Sequence, residues 1–239
     1  LPGLLEVFLE PLWAGSMDDK VCSKKMGPLR ITEIYASIQG EAAFSGYPCV
    51  FIRLTGCPLR CRWCDTAYGF EGGRYLSLEE VMVAVDAHGI KHVELTGGEP
   101  LAQPESVPLM ECLVSRGYRV MIETGGSESI AIVPKEVHVI MDLKCPGSGM
   151  ESKNLWSNLE FLKPSDEVKF VVASREDFDW ALDVIRRENL ADRCSVIFSC
   201  AFGLVPAKDL ADWMVASRAP GRMQLQMHKY IWHPRAKGV

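Results

Sequence analysis

No apolar run in the 239-residue chain approaches the roughly 18–20 residues of a membrane-spanning helix. An excess of basic residues is missing too: Lys and Arg number 26 against 31 Asp and Glu, a net charge of −5. Non-specific nucleic-acid binding draws on surplus positive charge, so neither a nucleic acid nor a membrane is expected as a partner. No linker, repeat or low-complexity tract interrupts residues 30–239. No second CxxC is present to supply the second ligand pair of a structural zinc site.

The first stretch, "LPGLLEVFLEPLWAGSM", lacks the basic start and unbroken apolar core of a secretory signal. Residues 1–28 read as a tag or N-terminal extension, expected to be poorly ordered, with Met17 or Met26 as natural starts. A short amphipathic helix docked on the body is the alternative. The single domain is expected over residues 29–239.

Nine cysteines are present, but not at the spacing of a small secreted disulfide scaffold. Cys49, Cys112 and Cys194 sit in apolar or helical contexts, where a free thiol behaves as a small hydrophobe. Cys22 and Cys145 are expected to be the exposed ones. A reducing compartment, the cytoplasm, follows from this reading.

Short runs rich in Val, Ile and Phe predict strands at 30–37, 49–56, 92–97, 118–124, 137–144, 167–173, 194–200 and 223–229. Amphipathic stretches at 77–89, 104–117, 174–189 and 205–217 predict helices. Ser77 with Glu80 makes a capping box, and Ser174 suits an N-cap. The β-α alternation implies a parallel sheet: an α/β fold, a complete or partial (β/α) TIM-like barrel, with chemistry at the strands' C-terminal ends.

The chemistry-bearing motif is "CPLRCRWC" at 57–64. Cys57, Cys61 and Cys64 are one ligand short of structural zinc, and Cys49 is needed for the strand it begins. Iron–sulfur cubes take one thiolate per iron, so three ligands leave one iron open. An open iron suits an enzyme that binds a small molecule to the metal. CxxxCxxC, with Trp63 before the last cysteine, resembles the radical S-adenosylmethionine (SAM) superfamily. "LTGGEP" at 95–100 supports it, because the Gly97–Gly98 pair would let a ligand approach the backbone closely. Alone, that stretch would pass for a glycine turn. The resemblance implies a [4Fe-4S] cluster whose open iron is chelated by SAM, and cleavage of SAM to a 5′-deoxyadenosyl radical.

A narrower resemblance covers residues 30–239. "SIQGEAAFSGYPCVFIRLTGCPLRCRWCDT" (37–66), "ELTGGEPL" (94–101), "IETGGS" (122–127), "DLKCPGSG" (142–149) and "LQMHKYIWHP" (225–234) are similar to the 7-carboxy-7-deazaguanine synthase family. That family contracts the ring of 6-carboxy-5,6,7,8-tetrahydropterin with loss of ammonia, on the way to queuosine and related 7-deazapurines. The resemblance implies hydrogen abstraction at C6, a Mg2+ requirement, regeneration of SAM, an electron donor such as a flavodoxin or ferredoxin, and a homodimer. It implies substrate contacts from Ile38, Gln39 and Gly40, largely through the backbone, and from Thr96, Gln226 and His228. Pro234 joins this set, although "RAKGV" follows it here and the carboxylate that a terminal proline would offer does not exist. Arg53 would hold the substrate carboxylate, a task suited to a guanidinium fork. On its own it reads equally as a strand-end charge. Thr66 would bind Mg2+, which keeps much of its hydration; read alone, it is a turn residue. SAM contacts are implied for Trp63, Cys64, Asp65, Gly98, Glu99, Lys144 and the stretch Ser199, Cys200, Ala201. Glu41 and Glu123 are polar candidates without a role. Of the five histidines only His228 is expected near chemistry, the others at the surface or in loops. The rivals are another small radical SAM enzyme, such as a glycyl-radical-activating enzyme, and a non-catalytic iron–sulfur or zinc module.

Overall fold

The structure, a computed structural model, describes Cys22 and residues 27–239. The reading of residues 1–28 as an extension otherwise lies outside the described residues. The strands are β1 (Leu29–Ile38), β2 (Pro48–Leu54), β3 (Arg74–Leu76), β4 (His92–Gly97), β5 (Arg119–Thr124), β6 (His138–Asp142), β7 (Glu167–Val172), β8 (Ser195–Cys200) and β9 (Arg222–Gln224). The helices are α1 (Leu78–Asp86), α2 (Ser106–Ser115), α3 (Arg175–Arg187), α4 (Ala207–Ser217) and the short α5 (His228–Ile231).

All nine strands form one sheet in the order β3-β1-β2-β4-β5-β6-β7-β8-β9. From β2 through β9 the neighbours run parallel, while β1 is antiparallel to β2 and β3. The edges β3 and β9 do not meet, so the barrel is partial.

Successive side chains of a strand point to opposite faces, and this alternation builds the site. Val93 and Leu95, Val120 and Ile122, Val139 and Met141, and Val168, Phe170 and Val172 pack into the large core that includes the helices' buried faces. The residues between them turn to the other face. Near the strands' N-terminal ends that face is apolar, with Cys49, Phe51, Met121, Ile140 and Ile197 in one cluster. Towards the C-terminal ends it becomes polar: Arg53, Glu94, Thr96, Glu123, Asp142 and Lys169 line a cavity.

The capping box is present, with Ser77 accepting from the Glu80 amide and the Glu80 carboxylate accepting from the Ser77 amide. Ser174 caps α3 by accepting from Asp177. Several expectations need correction. The last strand stops at Gln224, and residues 228–231 coil into α5 instead of extending to 229. Its parallel pairing covers only Arg222, Met223 and Gln224. Cys145 is buried, 1% exposed, because the 3-10 turn after β6 folds it inward. Cys22 and Cys112 are disulfide-bonded to each other, so not every cysteine is free. His92 and His138 are strand residues packed against Phe44, not loop residues. Among the described residues, no helix is long and apolar enough to cross a membrane.

Candidate active site

The cavity, about 750 Å3, opens where the parallel strands end. Ile38, Gln39, Gly40, Arg53, Cys57, Cys61, Trp63, Cys64, Asp65, Thr66, Thr96, Gly98, Lys144, Cys200, Ala201, Gln226, His228 and Pro234 all line it. Glu99 and Ser199 do not. Ser199 is enclosed in β8, 2% exposed. Glu99 is turned into the protein, where it accepts from Thr124 Oγ1 at 2.8 Å, the Gly125 amide at 2.7 Å and the Leu101 amide at 3.1 Å. Its carboxylate ties the loop after β4 to the end of β5.

The three candidate cluster cysteines lie on the loop leaving β2 and are half-buried. Burial pushes their thiols up, and Lys144 opposes that shift at all three. Cys57 Sγ accepts a hydrogen bond from the Leu59 amide at 3.4 Å, the kind of contact that tunes a cluster sulfur. Among the described residues, no three His, Cys, Asp or Glu side chains converge on a single ion position. Thiolates spread along a loop instead suit a polynuclear cluster with one iron per thiolate.

The glycine pair also serves the packing of the protein itself. A Cβ on Gly98 would stand 1.8 Å from the Gly56 carbonyl oxygen, and one on Gly97, at φ +120°, 2.4 Å from the Leu54 oxygen. The close neighbour is the protein's own cysteine loop. The Glu99 amide then donates to Gly56 O at 2.8 Å, clasping the two motifs together.

Arg53 is partly committed. Its Nε donates to Glu33 at 2.8 Å and one terminal nitrogen to the Tyr35 hydroxyl at 2.9 Å, while Tyr68 also donates to Glu33 at 2.8 Å. Burial opposes the charge on Arg53, but Tyr35, Tyr68 and Glu33 outweigh it. Among the described residues, the second terminal nitrogen has no hydrogen-bond partner, and it remains for an anion. Sequence reasoning missed this bracket of Glu33, Tyr35 and Tyr68. The polar residues Glu33 and Tyr35 alternate within β1, which was the available signal.

Thr66 Oγ1 donates to Asp65 at 3.0 Å, and Asp65 accepts from Lys229 at 2.6 Å. Partial burial works against ionisation of Asp65, yet the Lys229 ammonium holds its carboxyl at about 2. Gly40 allows α5 to approach, since a Cβ there would lie 2.6 Å from His228 Nδ1. Burial lowers the His228 imidazole, keeping it neutral near pH 7. The Gln39 amide and carbonyl are bonded to Tyr47 and Gly46, and the Gly40 carbonyl to the Met227 amide. The backbone of this stretch is thus largely consumed inside the protein. The stretch also brings the Glu41 side chain to the cavity.

On the far wall Lys144 donates to Asp142 at 2.8 Å; burial opposes its charge, and Asp142 restores it. Asp142 Oδ1 is buried and, among the described residues, has no hydrogen-bond partner. An unpaired buried acceptor facing a cavity fits a ligand that brings N–H donors, as SAM does through its amino group.

The family model described as "Radical SAM superfamily" matches residues 51–202, from β2 to just past β8. This is the class of protein that the partial barrel and its three-thiol loop define. The chain is 46% identical over 228 residues to 7-carboxy-7-deazaguanine synthase of Koribacter versatilis, covering 88% of this chain and 100% of that one. It is 45% identical over 215 residues to the synthase of Chlorobaculum tepidum, covering 89% and 98%. Its fold matches the crystal structure of QueE from Escherichia coli with a TM-score of 0.70, at 24% identity over 84% of this chain and 95% of that one. The chain belongs to the 7-carboxy-7-deazaguanine synthase family of radical SAM enzymes. A [4Fe-4S] cluster and SAM are that superfamily's cofactors, and the donor set described above fits both.

Proposed function

We propose that this enzyme converts 6-carboxy-5,6,7,8-tetrahydropterin to 7-carboxy-7-deazaguanine and ammonia, with Mg2+ bound at Thr66. The observation that carries the reading is the convergence of Arg53, Thr66 and the three cysteines on one cavity. When bound, the cluster and SAM supply a radical oxidant able to take a hydrogen atom from C6 of the substrate. The protein's own residues position that carbon. Arg53, locked by Glu33 and Tyr35, directs its free nitrogen at the substrate carboxylate. Thr66, with Asp65 behind it, offers one hydroxyl oxygen to a largely hydrated Mg2+. Thr96, Gln226 and the neutral His228 face the heterocycle. Lys144, Trp63 and the Cys200–Ala201 stretch face SAM. A flavodoxin or ferredoxin supplies the electron, the compartment is the cytoplasm, and the working form is a homodimer.

The test is anaerobic reconstitution with iron and sulfide, then incubation with SAM, reductant, Mg2+ and the carboxytetrahydropterin. Formation of the deazaguanine without net SAM consumption is the expected result. Deoxyadenosine release without the ring-contracted product would sink the substrate assignment. Thr66→Ala should weaken the Mg2+ dependence and leave the cluster's absorbance intact. Loss of the cluster in that variant would make Thr66 a structural residue.

A further inference from the structure

The cavity floor holds a cation that none of the roles above uses. Lys169 lies on β7, between Val168 and Phe170 of the core. Its ammonium donates to Glu41, from the loop after β1, at 2.7 Å, and to Glu123 at the end of β5. The side chains are graded in exposure: Lys169 5%, Glu41 14%, Glu123 29%. The ammonium therefore sits behind, and the two carboxylates face the cavity.

Other bonds fix the carboxylates' orientation. Glu41 also accepts from Gln226 at 2.7 Å and from Gln224 at 3.4 Å, and Glu123 accepts from Thr96 at 3.3 Å. A carboxylate has about four lone-pair sites, so acceptor capacity remains on both. Glu94 shows what this floor does to a carboxyl that lacks a cation. Burial and the Glu123 charge push it up to about 8, and it is bonded to the neutral Gln39 amide. Burial also penalises the charge of Glu123, but Lys169 reverses the shift and holds that carboxyl below its ordinary value.

We infer that Lys169 is a positioning residue that holds the carboxylates of Glu41 and Glu123 aimed into the cavity as acceptors for the N–H groups of a reduced pterin. The substrate half of this inference rests on the function proposed above. The charged groups around Lys169 are Glu41, Glu94 of β4, Glu123, Asp142 of β6, Lys144 beyond it and Asp65 of the cysteine loop. His228 of α5 faces the same two carboxylates. Without the ammonium, two carboxylates share a desolvated floor, and one takes a proton at neutral pH.

The experiment compares reconstituted wild type, Lys169→Met and Lys169→Arg. Lys169→Met should raise KM for the carboxytetrahydropterin about tenfold or more at neutral pH, as expected when one partner of a buried charged contact is removed. Cluster absorbance and SAM affinity should not change. KM should recover as pH rises, because the protonated carboxyl ionises again. Lys169→Arg keeps the charge and should restore most of the affinity. Infrared spectra read the charge state without substrate: Lys169→Met should show a protonated-carboxyl band at neutral pH in addition to the one that Glu94 gives the wild type. A wild-type KM with a wild-type pH profile, or no such band, would overturn the inference. If Lys169→Met does not fold, Glu41→Gln carries the test. Its KM should rise and not recover at high pH, since an amide does not ionise; a wild-type KM there overturns the inference equally. If wild type itself does not turn over the pterin, the substrate reading fails, and the infrared band still decides the role of Lys169.

Discussion

A methyl group added at Gly98 would stand 1.8 Å from the Gly56 carbonyl oxygen and 3.1 Å from Cys57 Cβ. No real Cβ tolerates the first contact, and the obstacle is backbone, which cannot rotate away. Gly98→Ala should therefore push the two motif loops apart. The expected outcome is a loss of about 1–3 kcal/mol of stability in thermal melts, the usual cost of overpacking, with reduced iron content after reconstitution. Unchanged iron content would mean that the cysteine loop holds its shape without the clasp. Arg53 and Lys169 show a second feature at this scale. Each is a charge on a largely apolar strand, and each is held by neighbouring carboxylates. Arg53 was legible because it sits inside a recognisable motif. Lys169 was not, because "EVKFVVA" also reads as an ordinary strand with one solvated lysine.

At the scale of elements, α1 begins with its own local signal. Ser77 and Glu80 satisfy each other's backbone amides at the exposed start of the helix. Ser77→Ala should cost about 1 kcal/mol, read by chemical denaturation, with KM and turnover unaffected. The Ser77 contacts lower the Glu80 carboxyl below its ordinary value. The cap's charged half is thus present above Glu80's unfolded value and fades as pH falls through the folded one. The wild-type and Glu80→Gln curves should converge in acid, where the carboxyl is also neutral; parallel curves would show that the Glu80 charge is not part of the cap. Local patterns of this kind were readable because they need only four residues. The end of β9 was not. "MQLQMHK" alternates like a strand, yet its second half coils into α5, where the Met227 amide meets Gly40 O and Lys229 meets Asp65. Those partners lie far away in the chain, and no local rule contains them.

Over the whole molecule, the polar floor makes stability depend on pH. Glu94 is almost fully buried, and its carboxyl is raised from 4.5 to about 8. A raised carboxyl favours the protonated form in the folded state. That contribution is fully present below about 4.5 and is lost as pH rises through about 8. Glu94→Gln keeps the shape without the titration, so its melting temperature should fall less than that of wild type across this interval. Superimposable pH profiles for the two proteins would show that Glu94 is already ionised in the fold.

The sequence by itself determined the class of fold, the cysteine loop, the glycine stretch that answers it, and the set of strand ends that carry the chemistry. The fold class and the cysteine loop depend on periodicity and spacing, which are local properties; the roles at the glycine stretch and strand ends were implied by the resemblance to the synthase family. It could not reveal that Glu99 faces inward, that the glycine pair accommodates the cysteine loop, that Cys145 is buried, or that Cys22 bonds Cys112. Only the tertiary structure decided which charges stand together behind the cavity. Burial turns a lysine and two glutamates from distant segments into one interacting unit, and its energetics follow from desolvation and proximity.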